Sequence, residues 1–150
     1  MEVWRLQRSV HLPLDGEGAR KFGGRWNAPG RPVVYTSESL ALSVLEMLVH
    51  LDSDLFPFDY AAYRIYVPDD VVQEEVRRDL LPGGWRQSAA SRECRRAGDA
   101  WLDRGESAIL KLPTSVLPHG SNYLLNPRHD DAASIRVLST EPFHFDPRLL

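Results

Sequence analysis

The sequence predicts an α+β fold: a single domain in which a mixed β-sheet is flanked by helices. Segments that alternate apolar and polar residues are scattered along the chain, as expected of short strands. Two or three helical segments lie between them, without the regular strand–helix alternation of a parallel α/β fold. The length of 150 residues is that of one domain, so we assign residues 1–150 to it.

Strands are predicted where apolar and polar residues alternate, or where β-branched and aromatic residues cluster between turn residues. These segments are residues 2–7, 32–35, 61–67, 107–112, 122–125 and 135–139. Residues 11–24 are rich in glycine, proline and charge, which favours a long loop. Helices are expected at residues 37–51 and 88–104, with a short one within residues 69–80.

The segment TSESLALSVLEMLVHL carries the clearest helical pattern. Ser37 is the expected N-cap, because a serine oxygen accepts a hydrogen bond from the first free backbone N–H groups. The buried stripe is expected to consist of the residues that repeat at helical spacing, Leu40, Val44, Leu48 and Leu51. The 88–104 helix is weaker, since Gly98 interrupts it.

Composition excludes several classes of protein. The hydrophobic content of 43% and charged content of 26% are ordinary for a globular domain, and the net charge of −3 argues against a nucleic-acid-binding protein. The lone cysteine, Cys94, allows no intramolecular disulfide, which fits a reducing compartment. No apolar run reaches membrane-spanning length, and the N-terminal segment lacks a signal-peptide core. We therefore expect a cytoplasmic protein with no membrane or direct nucleic-acid partner.

Glu46 is the first residue whose chemistry stands out. It lies in an almost wholly apolar helical segment, where an ionised carboxylate must be solvated, paired or protonated. His50 follows four residues later and shares the same helix face. The two residues are either the exposed edge of an amphipathic helix or part of a functional site.

The stretch GGRWNAPGRPVVY places two glycines, an arginine and a tryptophan before a strand. The glycines allow a sharp bend or a close approach of the backbone. Arg25 carries a planar fork of donors, and it either binds an anion or forms a salt bridge with Glu46 or Asp15. Trp26 is interpreted as a packing residue. Tyr35 either fills the core or presents its ring to a ligand.

The stretch LKLPTSVLPHGSNYLLNPRHDD sets hydroxyl and amide side chains between prolines. Such a segment suits a rigid loop that fixes donors and acceptors, with Thr114, Ser115 and Asn122 as candidates. Other familiar chemistries are missing: the sequence has no P-loop, no GxGxxG or GxSxG motif, and no zinc-ligand spacing. We therefore expect no metal.

These stretches together resemble the RES family, the toxins of Xre–RES toxin–antitoxin modules. The resemblance is carried by Trp4-Arg5 and by residues 23–50 and 112–131, and it covers most of the chain. The family arginine, tyrosine and glutamate fall on Arg25, Tyr35 and Glu46. The family serine falls in the run Pro113-Thr114-Ser115-Val116, where this sequence has threonine directly after the proline. Either Thr114 or Ser115 supplies that hydroxyl.

The resemblance implies a fold similar to ADP-ribosyltransferase toxins, NAD+ as substrate and a cognate Xre-type antitoxin. Glu46 would stabilise the oxocarbenium-like state that forms when nicotinamide leaves. Arg25 would hold the pyrophosphate or a ribose hydroxyl, and Tyr35 would stack on nicotinamide. The remaining substrate-binding candidates are Trp26, His50, Thr114, Ser115 and Asn122.

The expected function is a toxin that degrades NAD+ by hydrolysis or phosphorolysis of the nicotinamide–ribose bond and so arrests growth. Transfer of ADP-ribose to a protein target is the closest alternative. Two alternatives belong to other functional classes. One is a ribonuclease, and the other is a non-catalytic binding module in which Arg25 and Glu46 form a salt bridge. Self-association into a homo-oligomer is compatible with the resemblance.

Overall fold

A seven-stranded mixed sheet forms the centre of the computed structural model, which describes residues 1–50, 58–87 and 91–149. In chain order the strands are β1 (Glu2–Arg8), β2 (Val34–Ser37), β3 (Tyr60–Tyr66), β4 (Gln73–Glu75), β5 (Ile109–Pro113), β6 (Ser121–Leu125) and β7 (Arg136–Phe143). The helices are α1 (Glu17–Phe22), α2 (Leu40–Leu48) and α3 (Ser91–Arg104), with 3₁₀ turns at Arg78–Leu80, Asp130–Ser134 and Pro147–Leu149. The predicted α+β fold with a mixed sheet is confirmed.

The strand order across the sheet is β4-β5-β6-β2-β1-β3-β7. β4 and β5 run parallel, and the other neighbouring strands are antiparallel. β1 and β3 pair along their whole length, whereas β1 and β2 meet at the single pair Trp4↔Ser37. The sheet therefore opens beside that pair, and residues of both strands line a large cavity.

The N-cap of α2 lies two residues beyond the predicted one. Ser39 accepts a hydrogen bond from the Leu42 backbone N–H at 3.1 Å, while Ser37 is the last residue of β2. The segment TSES offers three hydroxyl side chains in a row of four, so the pattern alone cannot choose among them. Ser37 pairs with Asn122 of β6 as the last residue of β2, so the helix begins later and Ser39 is its N-cap.

The buried side of α2 differs in part from the predicted stripe. Leu42 and Ser43 are its buried residues, and neither belongs to that stripe. The helix packs against β1 and β3 through partly buried Leu40, Val44 and Met47, which contact Leu6, Tyr60 and Ala62. Leu48 is half-buried, and Leu51 lies outside the described residues.

α3 packs two fully buried side chains, Cys94 and Trp101, against β5 and β6. Trp101 Nε1 also donates to the Ser107 hydroxyl at 2.9 Å, so its polar atom is satisfied inside the core. The predicted start of this helix, residues 88–90, lies outside the described residues. None of the described helices is long and apolar enough to cross a bilayer.

Two predicted segments are wrong. Residues 69–80, predicted as a short helix, form β4 and a 3₁₀ turn, because β4 pairs in parallel with β5, a tertiary contact that local composition does not encode. The predicted loop at residues 11–24 contains α1, whose C-cap is Gly23 with φ 70°. The strand predicted at 135–139 is confirmed and runs on to Phe143. Pro142 is tolerated there because β7 is an edge strand.

Candidate active site

A cavity of ≈ 940 Å³ lies where β1 and β2 separate. Seven of the eight residues predicted for the site line it: Arg25, Trp26, Tyr35, Glu46, His50, Ser115 and Asn122. Thr114, the eighth, is fully buried and contacts the cavity residue Glu46 from behind. The fold thus gathers residues that are up to 97 positions apart in the sequence, from Arg25 to Asn122.

Glu46 is held by two short hydrogen bonds to one carboxylate oxygen. Its Oε1 accepts from the Thr114 hydroxyl and from the Asn122 side-chain amide, each at 2.6 Å. Within the described residues no protein group donates a hydrogen bond to Oε2. A carboxylate fixed in this way needs no reorientation when positive charge develops beside it.

The two partners of Glu46 are themselves fixed. Ser37 Oγ donates to Asn122 Oδ1 at 2.8 Å, so the Asn122 amide presents its NH₂ group to Glu46. Ser37 and Asn122 are also register partners in β2 and β6. The Val116 backbone N–H donates to Thr114 Oγ1 at 3.2 Å, while the Thr114 proton goes to Glu46. A chain of hydrogen bonds therefore connects the Glu46 carboxylate to strands β6 and β2.

The loop before β2 wraps around the hydroxyl of Tyr35. That hydroxyl donates to Asn27 Oδ1 at 2.7 Å and accepts from the Trp26 backbone N–H at 3.1 Å. A Cβ at Gly24 would lie 2.5 Å from the Tyr35 oxygen, which explains the glycine at this position. Burial raises the pKa of Tyr35 well above its ordinary value, so the hydroxyl stays protonated and keeps donating to Asn27.

Arg25 donates to the main chain and, among the described residues, forms neither of the salt bridges, to Glu46 or to Asp15, that the sequence allowed. Its Nη1 atom donates to the carbonyl oxygens of Trp85 at 3.1 Å and Gln87 at 3.4 Å. Its Nη2 atom donates to the intervening carbonyl at 3.3 Å. The guanidinium thus ties the loop before β2 to residues 85–87.

The other predicted residues, Trp26, His50 and Ser115, also line the cavity. Trp26 is buried and packs on Trp85, with ring centroids 6.2 Å apart, which agrees with its interpretation as a packing residue. His50 is exposed and follows the C-terminus of α2. The Ser115 side chain lines the wall, and its carbonyl accepts from Arg86 Nε at 2.8 Å.

Three further arginines line the cavity, and sequence reasoning missed them as site residues: Arg5, Arg86 and Arg95. Arg5 Nη1 is buried with no hydrogen-bond partner among the described residues, and burial lowers the pKa of Arg5 to about 10. A signal for Arg5 was available, because it shares a strand face with the fully buried Val3. Arg86 and Arg95 carried no comparable signal, since their positions depend on how distant segments pack.

The described residues contain no cluster of three or more histidine, cysteine, aspartate or glutamate side chains that could hold a metal ion. Cys94 is a residue of α3 whose side chain is fully buried in the core, and burial raises the pKa of its thiol. A protonated, buried thiol is a poor nucleophile. The cavity combines one fixed carboxylate, Glu46, with four arginine residues in its lining, an arrangement suited to a ligand with both cationic and anionic parts.

The sequence and the fold were compared with known proteins. A model of the RES domain family matches residues 2–146. The chain is 38% identical over 151 residues to "Toxin Res" of Pseudomonas putida, with 99% of each chain covered. It is 37% identical over 153 residues to the "Prs ADP-ribosylating toxin" of a Sphingobium species, with 98% of this chain and 95% of that one covered.

Among solved structures, the crystal structure of the Mycobacterium tuberculosis MbcT–MbcA toxin–antitoxin complex contains a chain with a similar fold. The TM-score is 0.77 at 18% sequence identity, over 95% of this chain and 84% of that chain. The family match spans nearly the whole sequence, and the residues that carried the resemblance meet around one cavity. This protein therefore belongs to the RES domain family.

Proposed function

We propose that this protein is the toxin of a toxin–antitoxin pair and that it consumes NAD+ by breaking the bond between nicotinamide and ribose. The observation that carries the proposal is the fixed Glu46 carboxylate in a ≈ 940 Å³ cavity lined by four arginines. The volume is in the range of small-molecule and cofactor sites. Two relatives named as toxins, one of them ADP-ribosylating, support the assignment.

Glu46 is assigned to stabilise the positive charge that develops on the ribose during the reaction. As the C–N bond breaks, its electron pair passes to the nicotinamide nitrogen, which loses its charge and needs no acid. The ribose carbon gains oxocarbenium character, as in other glycosyl cleavages. We assign Glu46 Oε2 to stabilise that charge or to accept a hydrogen bond from a ribose hydroxyl. An acceptor atom then forms the new bond to carbon: water or a protonated side chain releases its proton to solvent, whereas a phosphate oxyanion attacks without losing one.

The substrate phosphates would offset the cost of burying Arg5. A buried guanidinium nitrogen without a partner is unfavourable, and the lowered pKa of Arg5, about 10, still leaves it charged at neutral pH. A phosphate oxygen is the ligand that suits such a donor best. Tyr35 lines the cavity, and we assign it to stacking on nicotinamide. His50, Ser115 and Asn122 complete the proposed substrate contacts.

Transfer of ADP-ribose to a protein is the second candidate. The observation that favours it is the 37% identity to the Prs ADP-ribosylating toxin over almost the whole chain. Both reactions break the same bond and use the same cavity, so they differ in the acceptor alone. The acceptor is water or phosphate in the first case and a protein side chain in the second.

The test is nicotinamide release from NAD+ by the purified protein, freed of any bound partner. Glu46→Gln keeps the size of the side chain but removes its charge, and we expect release to fall by at least about 100-fold. Glu106→Gln is the matched control, because Glu106 is exposed and lies outside the cavity. NAD+ labelled in the adenylate part separates the candidates: label left on a protein indicates transfer. Equal release by both variants would contradict the proposal.

A second chain, an Xre-type antitoxin, is the proposed partner. The similar fold in the MbcT–MbcA toxin–antitoxin complex supports the existence of such a partner. We expect the antitoxin to cover the cleft between Arg25 and Glu46 or to insert a segment into it. Co-expression followed by NAD+ competition tests this, since a complex whose cavity still admits NAD+ freely would contradict it.

A further inference from the structure

The four cavity arginines use their guanidinium groups in two different ways. Arg5, Arg86 and Arg95 each donate to the protein through Nε: to Gln7 Oε1 at 2.9 Å, to the Ser115 carbonyl at 2.8 Å and to the Gly24 carbonyl at 3.1 Å. In the described parts of the chain, the Nη atoms of Arg86 and Arg95 donate to no protein acceptor. Their planar forks are therefore open toward a ligand.

Arg25 shows the opposite arrangement. Both of its Nη atoms are taken by the three consecutive carbonyl oxygens of residues 85–87, at distances of 3.1, 3.3 and 3.4 Å. The fork that would grip a phosphate is thus occupied by the main chain. An arginine in this state holds a segment in place, and any anion it bound would compete with three carbonyl groups.

The segment that Arg25 holds, residues 85–87, contains Arg86. Its backbone is closed by two turns, in which the N–H groups of Trp85 and Gln87 donate to the carbonyls of Pro82 at 3.2 Å and Gly84 at 2.9 Å. The Trp85 side chain is buried against Trp26, next to Arg25 in the chain. Arg86 lies between the two anchored residues and reaches the cavity wall.

We infer that Arg25 is a positioning residue that clamps the Trp85–Gln87 main chain, and that Arg86, with Arg95, forms a subsite for a phosphate group of the ligand. The inference rests on the proposed NAD+ chemistry for its substrate but not for its geometry. Two guanidinium forks can each bind phosphate oxygens in a bidentate manner. The phosphate is either the pyrophosphate of the dinucleotide or a free phosphate that acts as acceptor.

Three variants test the inference: Arg86→Gln, Arg25→Lys and the control Arg96→Gln, whose arginine is exposed on α3 outside the cavity. ADP-ribose affinity is measured by calorimetry, and amide hydrogen exchange of the 82–87 peptide is measured without ligand. Arg86→Gln should weaken ADP-ribose binding by roughly 10-fold to 100-fold, the range for a charge-assisted hydrogen bond, and leave exchange unchanged. Arg96→Gln should change neither.

Arg25→Lys separates a clamp from a direct ligand. Lysine keeps the charge, but its single ammonium cannot span three carbonyls, so we expect faster exchange at Trp85 and Gln87 together with weaker binding. Weaker binding with unchanged exchange would overturn the clamp. Wild-type ADP-ribose affinity in Arg86→Gln, together with an unchanged response of nicotinamide release to inorganic phosphate, would overturn the subsite. That result holds even if Arg25→Lys fails to fold.

Nicotinamide release at varied inorganic phosphate identifies the source of the phosphate group. If Arg86→Gln lowers ADP-ribose affinity, the subsite binds the pyrophosphate. If Arg86→Gln removes only the stimulation of release by inorganic phosphate, the subsite binds the acceptor. An effect on neither would overturn the inference. A wild type that binds ADP-ribose through Arg86 but releases no nicotinamide would refute the proposed reaction and leave the subsite standing.

Discussion

The hydroxyl of Thr114 donates to Glu46 Oε1 at 2.6 Å, and Thr114 itself is fully buried. Thr114 thus contacts the carboxylate from the protein interior, while the next residue, Ser115, lines the cavity. The methyl group of Thr114 is packed as well, since its Cγ2 lies 3.1 Å from where a Cβ on Gly120 would stand. Threonine at this position therefore combines a hydrogen bond to Glu46 with core packing.

Thr114→Val should remove the hydrogen bond and keep the shape. A hydrogen bond to a charged group contributes about 1.5–3 kcal/mol, so kcat for nicotinamide release should fall roughly 10-fold to 100-fold. Thr114→Ser is the matched control: it keeps the hydroxyl and loses one buried methyl, at about 1 kcal/mol of stability. Equal activity in the valine variant and the wild type would contradict a role for this hydroxyl in orienting Glu46.

Asn122→Asp should make stability depend on pH in a way the wild type does not. The new carboxylate would lie where the amide now donates to Glu46 at 2.6 Å, and two like charges at that distance raise the pKa of the pair. Because the folded-state pKa is raised, the free energy of unfolding should be highest at acidic pH. It should fall as pH rises through that pKa. Urea unfolding between roughly pH 4 and pH 8 measures this, across the ordinary carboxyl range.

Gln73→Glu provides the control for this pH dependence. Gln73 is exposed on β4 and lies outside the cavity, so a carboxylate added there stays in contact with water in the folded protein. Its stability should follow the wild type across the same pH range. A flat profile in Asn122→Asp, parallel to both, would show that the two carboxylates do not interact.

Arg5→Met should stabilise the ligand-free protein, or leave its stability unchanged, while weakening NAD+ binding. The Nη1 atom of Arg5 is buried without a partner, a state that costs about 1–3 kcal/mol, and methionine fills similar space without that cost. Thermal unfolding and ADP-ribose calorimetry measure the two effects. Arg96→Met, on an exposed surface, should alter neither. A marked loss of stability in Arg5→Met would show that the hydrogen bond from Arg5 Nε to Gln7 outweighs the cost of the unpaired Nη1 atom.

The sequence predicted the parts of the site that are encoded locally. Glu46 stood out because one carboxylate interrupts a run of apolar helical residues, and the glycine pair before Arg25 indicated a close approach of the backbone. Both signals come from residues that lie close together in the sequence. The close approach proved to be that of the Tyr35 hydroxyl to Gly24.

The parts that could not be predicted depend on contacts between distant segments. Arg86 lies in the cavity because Arg25, sixty-one positions earlier, holds the carbonyls around it. β4 is a strand because it pairs with β5, and its own sequence, Gln-Glu-Glu, has no β-propensity. The sequence predicts that Gly98 destabilises α3. In the structure Gly98 is where the loop before β2 packs against the helix, since a Cβ there would meet the Trp26 carbonyl.

Gly98→Ala should be strongly destabilising even though alanine is the better helix former. A Cβ at Gly98 would lie 1.7 Å from the Trp26 carbonyl oxygen, a backbone atom that cannot move alone. The loop before β2 would have to shift, at a cost of about 3 kcal/mol, the upper end of the overpacking range. The shift would displace Arg25 and lower nicotinamide release as well.

Gly18→Ala is the matched control, because a Cβ at that α1 position meets nothing within 4 Å. There alanine should increase the free energy of unfolding by roughly 0.5–1 kcal/mol through helix propensity, with activity unchanged. Urea unfolding of both variants, with nicotinamide release measured under native conditions, gives the comparison. Helix propensity predicts a gain at both positions, so a loss confined to Gly98→Ala would identify close packing of the loop on α3 as the cause. Similar gains at both would place the Trp26 carbonyl farther from α3 than the structure has it.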